Sequence, residues 1–299
     1  MIDGRADIVE QGPRRPRRAG IVVLLALLAV PLIAFLTGRD TDRRPAPVVT
    51  APAPVRQAGG VVPNALYPVA SGTGGTRTLR VTFPDGSRAE LTYPAGLNLA
   101  SLGARPYTSA TLSGGGTAEV FRPLTAPFYG EAEIAAGRPM VRALTRTVTL
   151  WPGPLGVDGA GQVLLFGFGD WRVALQDETA GMTFEQRLAW AENLRGRLTP
   201  DGFLTLSAGG PLRLSRPGEV RDGVLVGPQL WLGGLSRRML VIAPDPGCGG
   251  PSGGPSGTPV VDPRHTIAGS ACRDGFFLAA SGDDAFVRSA LKDVRARAL

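Results

Sequence analysis

An uncharged, apolar run over residues 19–38 constrains this chain more than any other feature. Twenty residues at a helical rise of about 1.5 Å reach roughly 30 Å, the hydrocarbon thickness of a bilayer. Arg14, Arg15, Arg17 and Arg18 crowd its N-terminal side, with Arg5 further back. A membrane helix with a cytoplasmic tail at 1–18 and the rest of the chain outside is therefore expected. Arg39, Arg43 and Arg44 follow the run and oppose that orientation, while Asp40 and Asp42 count for little in the charge rule. Pro31 is tolerated, because neighbouring groups in a membrane helix can satisfy the freed carbonyl. A cleaved signal peptide is the competing reading. Its apolar region would be shorter, and the first Ala-x-Ala, Ala51-Pro52-Ala53, lies far beyond the run.

Residues 39–75 read as a spacer. Pro45, Pro47, Pro52 and Pro54 favour extended polyproline II chain, and Gly59-Gly60 and the stretch at 71–75 are glycine-rich. The remainder, 76–299, is long enough for one large domain or two small ones. Its 42 glycines and 27 prolines, counted over the whole chain, and only 6% aromatic residues suit a turn-rich, strand-rich domain. Lys292 is the sole lysine among 32 basic residues, the arginine bias of a GC-rich bacterial genome. The net charge of +7 comes from arginines scattered along the chain, so nucleic acid is not an expected partner. The expected partners are the lipid bilayer and, outside it, envelope polymers or another membrane protein.

The clearest local signal is a hairpin. Leu79, Val81 and Phe83 alternate with polar residues, Pro84-Asp85-Gly86-Ser87 turns the chain, and Ala89, Leu91 and Tyr93 alternate again. Further strands are expected at 118–122, 141–151, 162–168, 171–176, 203–207, 212–215, 224–232, 238–243 and 275–281. A helix is expected over 183–198, opened by a Thr183/Gln186 capping box, with Phe184, Leu188, Ala191, Leu194 and Leu198 on one face. A second begins at Asp283, with Val287, Ala290, Leu291 and Val294 facing inward. Strands in blocks with two helices predict an α+β, mostly antiparallel domain, with a candidate subdivision near 151–161.

Cys248 and Cys272 are the only cysteines and are expected to pair in an oxidising compartment. A metal site using Cys248, His265 and Cys272 would be one ligand short of a structural zinc, so neither metal nor cofactor is expected. His265 is the single histidine, and no G-x-S-x-G elbow supplies a nucleophile for it. Glu131, Glu133, Asp177 and Glu178 are the carboxylates that a glycosidic-bond hydrolase would need to bring about 5–9 Å apart. At least three of Trp151, Trp171, Trp190 and Trp231 are expected in the core rather than as sugar platforms. No catalytic residue is named by these patterns. The expected role is a membrane-anchored extracytoplasmic interaction module of a bacterial cell envelope, and the alternative is a carboxylate-dependent extracytoplasmic hydrolase.

Overall fold

The computed structural model of the protein describes residues 62–299, apart from 115–116, 154–160, 178–180, 236, 250–253 and 263. The expected tail, the span at 19–38 and the spacer up to residue 61 lie outside the described residues. No helix among the described residues is long and apolar enough to cross a membrane.

The chain after residue 62 is β-rich and mostly antiparallel, as its pattern predicts. In order it forms β1 (Thr76–Thr82), β2 (Arg88–Pro94), β3 (Ala104–Gly114), β4 (Thr117–Thr125), α1 (Gly130–Ala135), β5 (Arg142–Ala143), β6 (Val148–Pro152), β7 (Gln162–Phe168) and β8 (Trp171–Asp177). There follow α2 (Phe184–Asn193), β9 (Leu194–Leu198), β10 (Leu204–Ala208), β11 (Leu212–Leu214), β12 (Val220–Arg221), β13 (Val224–Leu225) and β14 (Gln229–Gly233). The chain closes with β15 (Met239–Pro244), β16 (Thr258–Pro259), β17 (Gly269–Arg273), β18 (Phe276–Ser281), α3 (Asp284–Asp293) and β19 (Arg295–Ala298).

The hairpin β1–β2 forms in the expected register, Leu79 opposite Leu91 and Val81 opposite Ala89, with all four buried. Gly86 turns it at φ +88°, a value that favours glycine. β19 adds to β2 as a third strand, and Phe286, Ala290 and Val294 of α3 pack into the same core. The large sheet has eleven strands, in the order β17-β18-β15-β14-β3-β4-β8-β7-β6-β5, with β11 also on β3. Its centre is covered on both faces. Leu240 and Ile242 of β15 enter one core while Met239, Val241 and Ala243 enter another. That is why this strand reads as an unbroken apolar run rather than an alternation.

Two stretches bear on the domain boundaries, and one helix needs correction. The first is the candidate subdivision near 151–161. β4, before it, pairs with β8, after it, and β3 pairs with β14, so one sheet crosses that stretch. Gly59–Leu299 is a single compact unit. The second is the end of the stretch read as a spacer, where a few residues make contacts with the domain. Asn64 is buried and its side-chain amide donates to the carbonyls of Pro127 and Arg172, both at 2.8 Å. Leu66 pairs with Ala104, and Ser71 with Thr78.

The third is the helix expected over 183–198, which stops at Asn193. Its capping box is present, with Thr183 Oγ1 accepting from the Gln186 N–H and Gln186 Oε1 from the Thr183 N–H. Leu194–Leu198 is instead strand β9, paired with β10. Gly196 explains the switch: glycine is a poor helix former, and its missing side chain leaves the space that the Phe168 ring fills. Phe184, expected on the buried face, is exposed beneath the Arg142 guanidinium, 5.0 Å from its ring centroid.

Candidate functional site: a buried ion-pair cluster beneath a basic groove

β3 carries Arg105 into the interior, where it is 1% exposed. Nη1 donates to the Ala126 carbonyl at 2.9 Å, and Nη2 to the Gly233 carbonyl at 3.2 Å and to Asp262 Oδ2 at 2.9 Å. The guanidinium also lies between the Phe128 and Trp231 rings, 5.6 and 5.5 Å from their centroids. Its Nε is buried without a hydrogen-bond partner among the described residues. Gly234 allows this placement, because a Cβ there would collide with Nη2, and its φ of +122° suits only glycine. Burial pulls the Arg105 pKa down and the Asp262 hydrogen bond works against that, so the group stays cationic.

Asp262 binds a second arginine. Arg264 donates Nε to Oδ1 at 2.8 Å, Nη2 to Oδ2 at 2.7 Å and its backbone N–H to Oδ1 at 3.1 Å. Burial is the largest influence on the Asp262 carboxyl and disfavours its charge. The hydrogen bonds from Arg264 and Arg105 together outweigh it and hold the pKa well below the usual carboxylate range. Arg264 also reaches Glu133 at 3.5 Å.

Above this cluster lies a groove of about 670 Å³, walled by Gly234, Arg237, Arg264, His265, Ser281 and Asp283 among others. Asp283 caps α3, accepting from the Phe286 N–H at 2.8 Å, and it pairs with Arg238 at 2.8 Å. The Ser281 Oγ is buried without a hydrogen-bond partner among the described residues.

The carboxylates singled out from the sequence fall into separate roles. Asp177 is buried and takes Arg187 Nε and Nη2 at 3.0 and 2.8 Å, Arg122 at 3.5 Å and the Met182 N–H at 2.9 Å. It fastens α2 to β8. Glu133 accepts from the Tyr129 N–H at the start of its own helix and pairs with Arg264. Glu131 sits in the first turn of α1, and Glu178 lies outside the described residues. All four tryptophans are buried, Trp190 completely.

Cys248 and Cys272 form the expected disulfide, with Cα atoms 5.0 Å apart. The runs flanking them are neighbouring strands, β15 on β18, but Cys272 itself lies in the edge strand β17, opposite Phe277. The described part of the loop between them packs onto the domain. Thr258–Pro259 pairs with β13, and Val260, Val261 and Ile267 pack beside Trp231 and Phe277. Asp245 anchors the loop, accepting from the N–H groups of Gly247 and Ser256 and from the Ser256 hydroxyl, at 2.9, 2.9 and 2.6 Å.

Sequence reasoning passed over Arg105, Asp262, Arg264 and Asp245. Asp245-Pro246-Gly247 carried a turn signal that could have been read, since an Asp before Pro-Gly readily bonds its own backbone ahead. Among the described residues no group of three or more His, Cys, Asp or Glu side chains is placed to hold a metal ion. Compared with known proteins, the chain matches no family model, no curated protein and no solved structure.

Proposed function

We propose that the protein is a membrane-tethered extracytoplasmic binding module of a bacterial envelope, held by the 19–38 segment with its N-terminus inside. The observation that carries this reading is the Cys248–Cys272 disulfide. Both cysteines of the chain are spent in it, and such bonds persist where the compartment is oxidising. The apolar run and its leading arginines give the domain a route to that compartment. The buried carboxylates support binding over hydrolysis. Asp177 and Asp262 are each committed to two arginines, and Asp245 to backbone N–H groups and a hydroxyl. Carboxylates engaged in this way serve as structural acceptors rather than as a catalytic acid and base.

Two measurements test this reading. Protease added to intact spheroplasts removes the part of the chain beyond residue 39, and a protected domain overturns the topology. Full-length chain in nanodiscs co-sediments with purified cell-wall material without releasing reducing ends. Release of reducing ends that depends on Glu133 or Asp177 overturns the binding module in favour of the hydrolase.

A further inference from the structure

We infer that the groove above the Arg105–Asp262–Arg264 cluster binds a small oxyanion, a carboxylate- or phosphate-bearing molecule about the size of a monosaccharide. The inference rests on the binding-module reading and names the ligand class of its site. Four arginines, Arg105, Arg237, Arg238 and Arg264, meet three carboxylates here, Glu133, Asp262 and Asp283. One positive charge is left over. Asp283 is matched by Arg238, and Asp262 is shared by two arginines. Arg237 walls the groove and makes no ion pair among the described residues.

The cluster below fixes the wall. Three hydrogen bonds to Asp262 hold the Arg264 guanidinium and backbone in one orientation, so little ordering remains to be done when a ligand arrives. A buried ion pair is a costly way to stabilise a core, and its best-attested benefit is fixed geometry. Here that geometry faces a concavity. Arg264 Nε and Nη2 are engaged by Asp262 and Glu133, so it is the forked donors of Arg237 that suit the paired oxygens of carboxylate and phosphate. A volume of about 670 Å³ lies within the range of small-molecule sites. His265 and Thr266 add ring and hydroxyl groups to the same wall.

Calorimetric titration of the full chain in phosphatidylcholine nanodiscs tests this with three probes of one size: glucuronate, glucose 6-phosphate and glucose. At least one of the two anions is expected to bind about tenfold or more tightly than glucose. Arg237→Gln is expected to weaken that binding about fivefold or more at an unchanged melting temperature. Bound anion should slow amide exchange in 234–238 and 281–286. The inference is overturned if neither anion binds, if glucose binds equally well, or if Arg237→Gln leaves the affinity unchanged. Should the anions fail while protease still removes the domain from spheroplasts, this inference falls and the tethered module stands.

Discussion

Arg105 and Asp262 show how a buried charge is tolerated. Each is nearly inaccessible: Arg105 is met by Asp262 and two carbonyls, and Asp262 by the hydrogen bonds of Arg264 and then of Arg105. Removing one member strands its partner, so Asp262→Asn should destabilise the fold by about 3–5 kcal/mol, measured by urea unfolding. Replacing the pair together, Arg105→Met with Asp262→Leu, should recover most of that loss. Recovery would mean that the pair fixes geometry rather than supplying stability. The same carboxyl sets an acid response. Its folded pKa lies below that of the unfolded chain, about 3.9, so the unfolded state binds more protons in acid. Its contribution is full above that value and is lost as pH falls towards the folded pKa. Glu219, drawn down to about 2 chiefly by the Arg213 hydrogen bond, acts in the same direction over the same acid range. Urea midpoints measured from neutral pH into acid should therefore fall steeply for the native chain and less steeply for Asp262→Asn. Parallel curves would show that Asp262 is not ionised as described.

Element boundaries turn on single small residues. Gly196 ends a helical pattern that otherwise runs on through Leu198, because the Phe168 ring occupies the place of its side chain. Gly196→Val should cost about 1–3 kcal/mol by overpacking, even though valine is the better strand former. Thr183→Ala should cost only about 1 kcal/mol, the worth of a helix cap. Thermal melts of the two variants rank them, and a larger loss from Thr183→Ala would contradict this account of β9. The elements legible in the sequence are those with one wet face or with an unbroken apolar run: the β1–β2 hairpin, β7, β8, β15 and β18. The central strand β3 was not legible. Its residues Arg105, Thr108, Ser109 and Thr111 are buried, so it shows no apolar alternation, and its fit depends on neighbours distant in sequence. The site was hidden for the same reason. Asp262 and Arg264 are local to each other, but Arg105 stands 157 residues away from Asp262. The unbroken apolar run of β15 gave no hint of which core each of its two faces serves.

At the scale of the whole domain, one sheet runs from the edge strand β17 to β5, and the disulfide clamps its β17 end. Cys248 sits in a short 3-10 turn after β15, and Cys272 lies two strands over. The bond therefore ties the turn after β15 to the edge strand β17. Asp245 is a second, independent clamp on the same segment through Gly247 and Ser256. Closing a loop with a sequence separation of 24 is worth roughly 3 kcal/mol in the chain-entropy model. The variant with both Cys248→Ser and Cys272→Ser should then melt about 6–12 °C lower than the native chain, given the usual scaling for a domain of this size. The loss should also be local before it is global. Amide exchange should rise first in 246–259, which the Asp245 contacts and the β13 pairing then hold, while β1, β2 and β19 stay protected. Adding Asp245→Asn to the cysteine-free chain should release the loop further, whereas in the native chain the disulfide should mask most of that change. An equal effect of Asp245→Asn in both backgrounds would mean that the two clamps hold different segments, and an unshifted melting temperature in the cysteine-free chain would mean that the bond restrains nothing the sheet does not already hold.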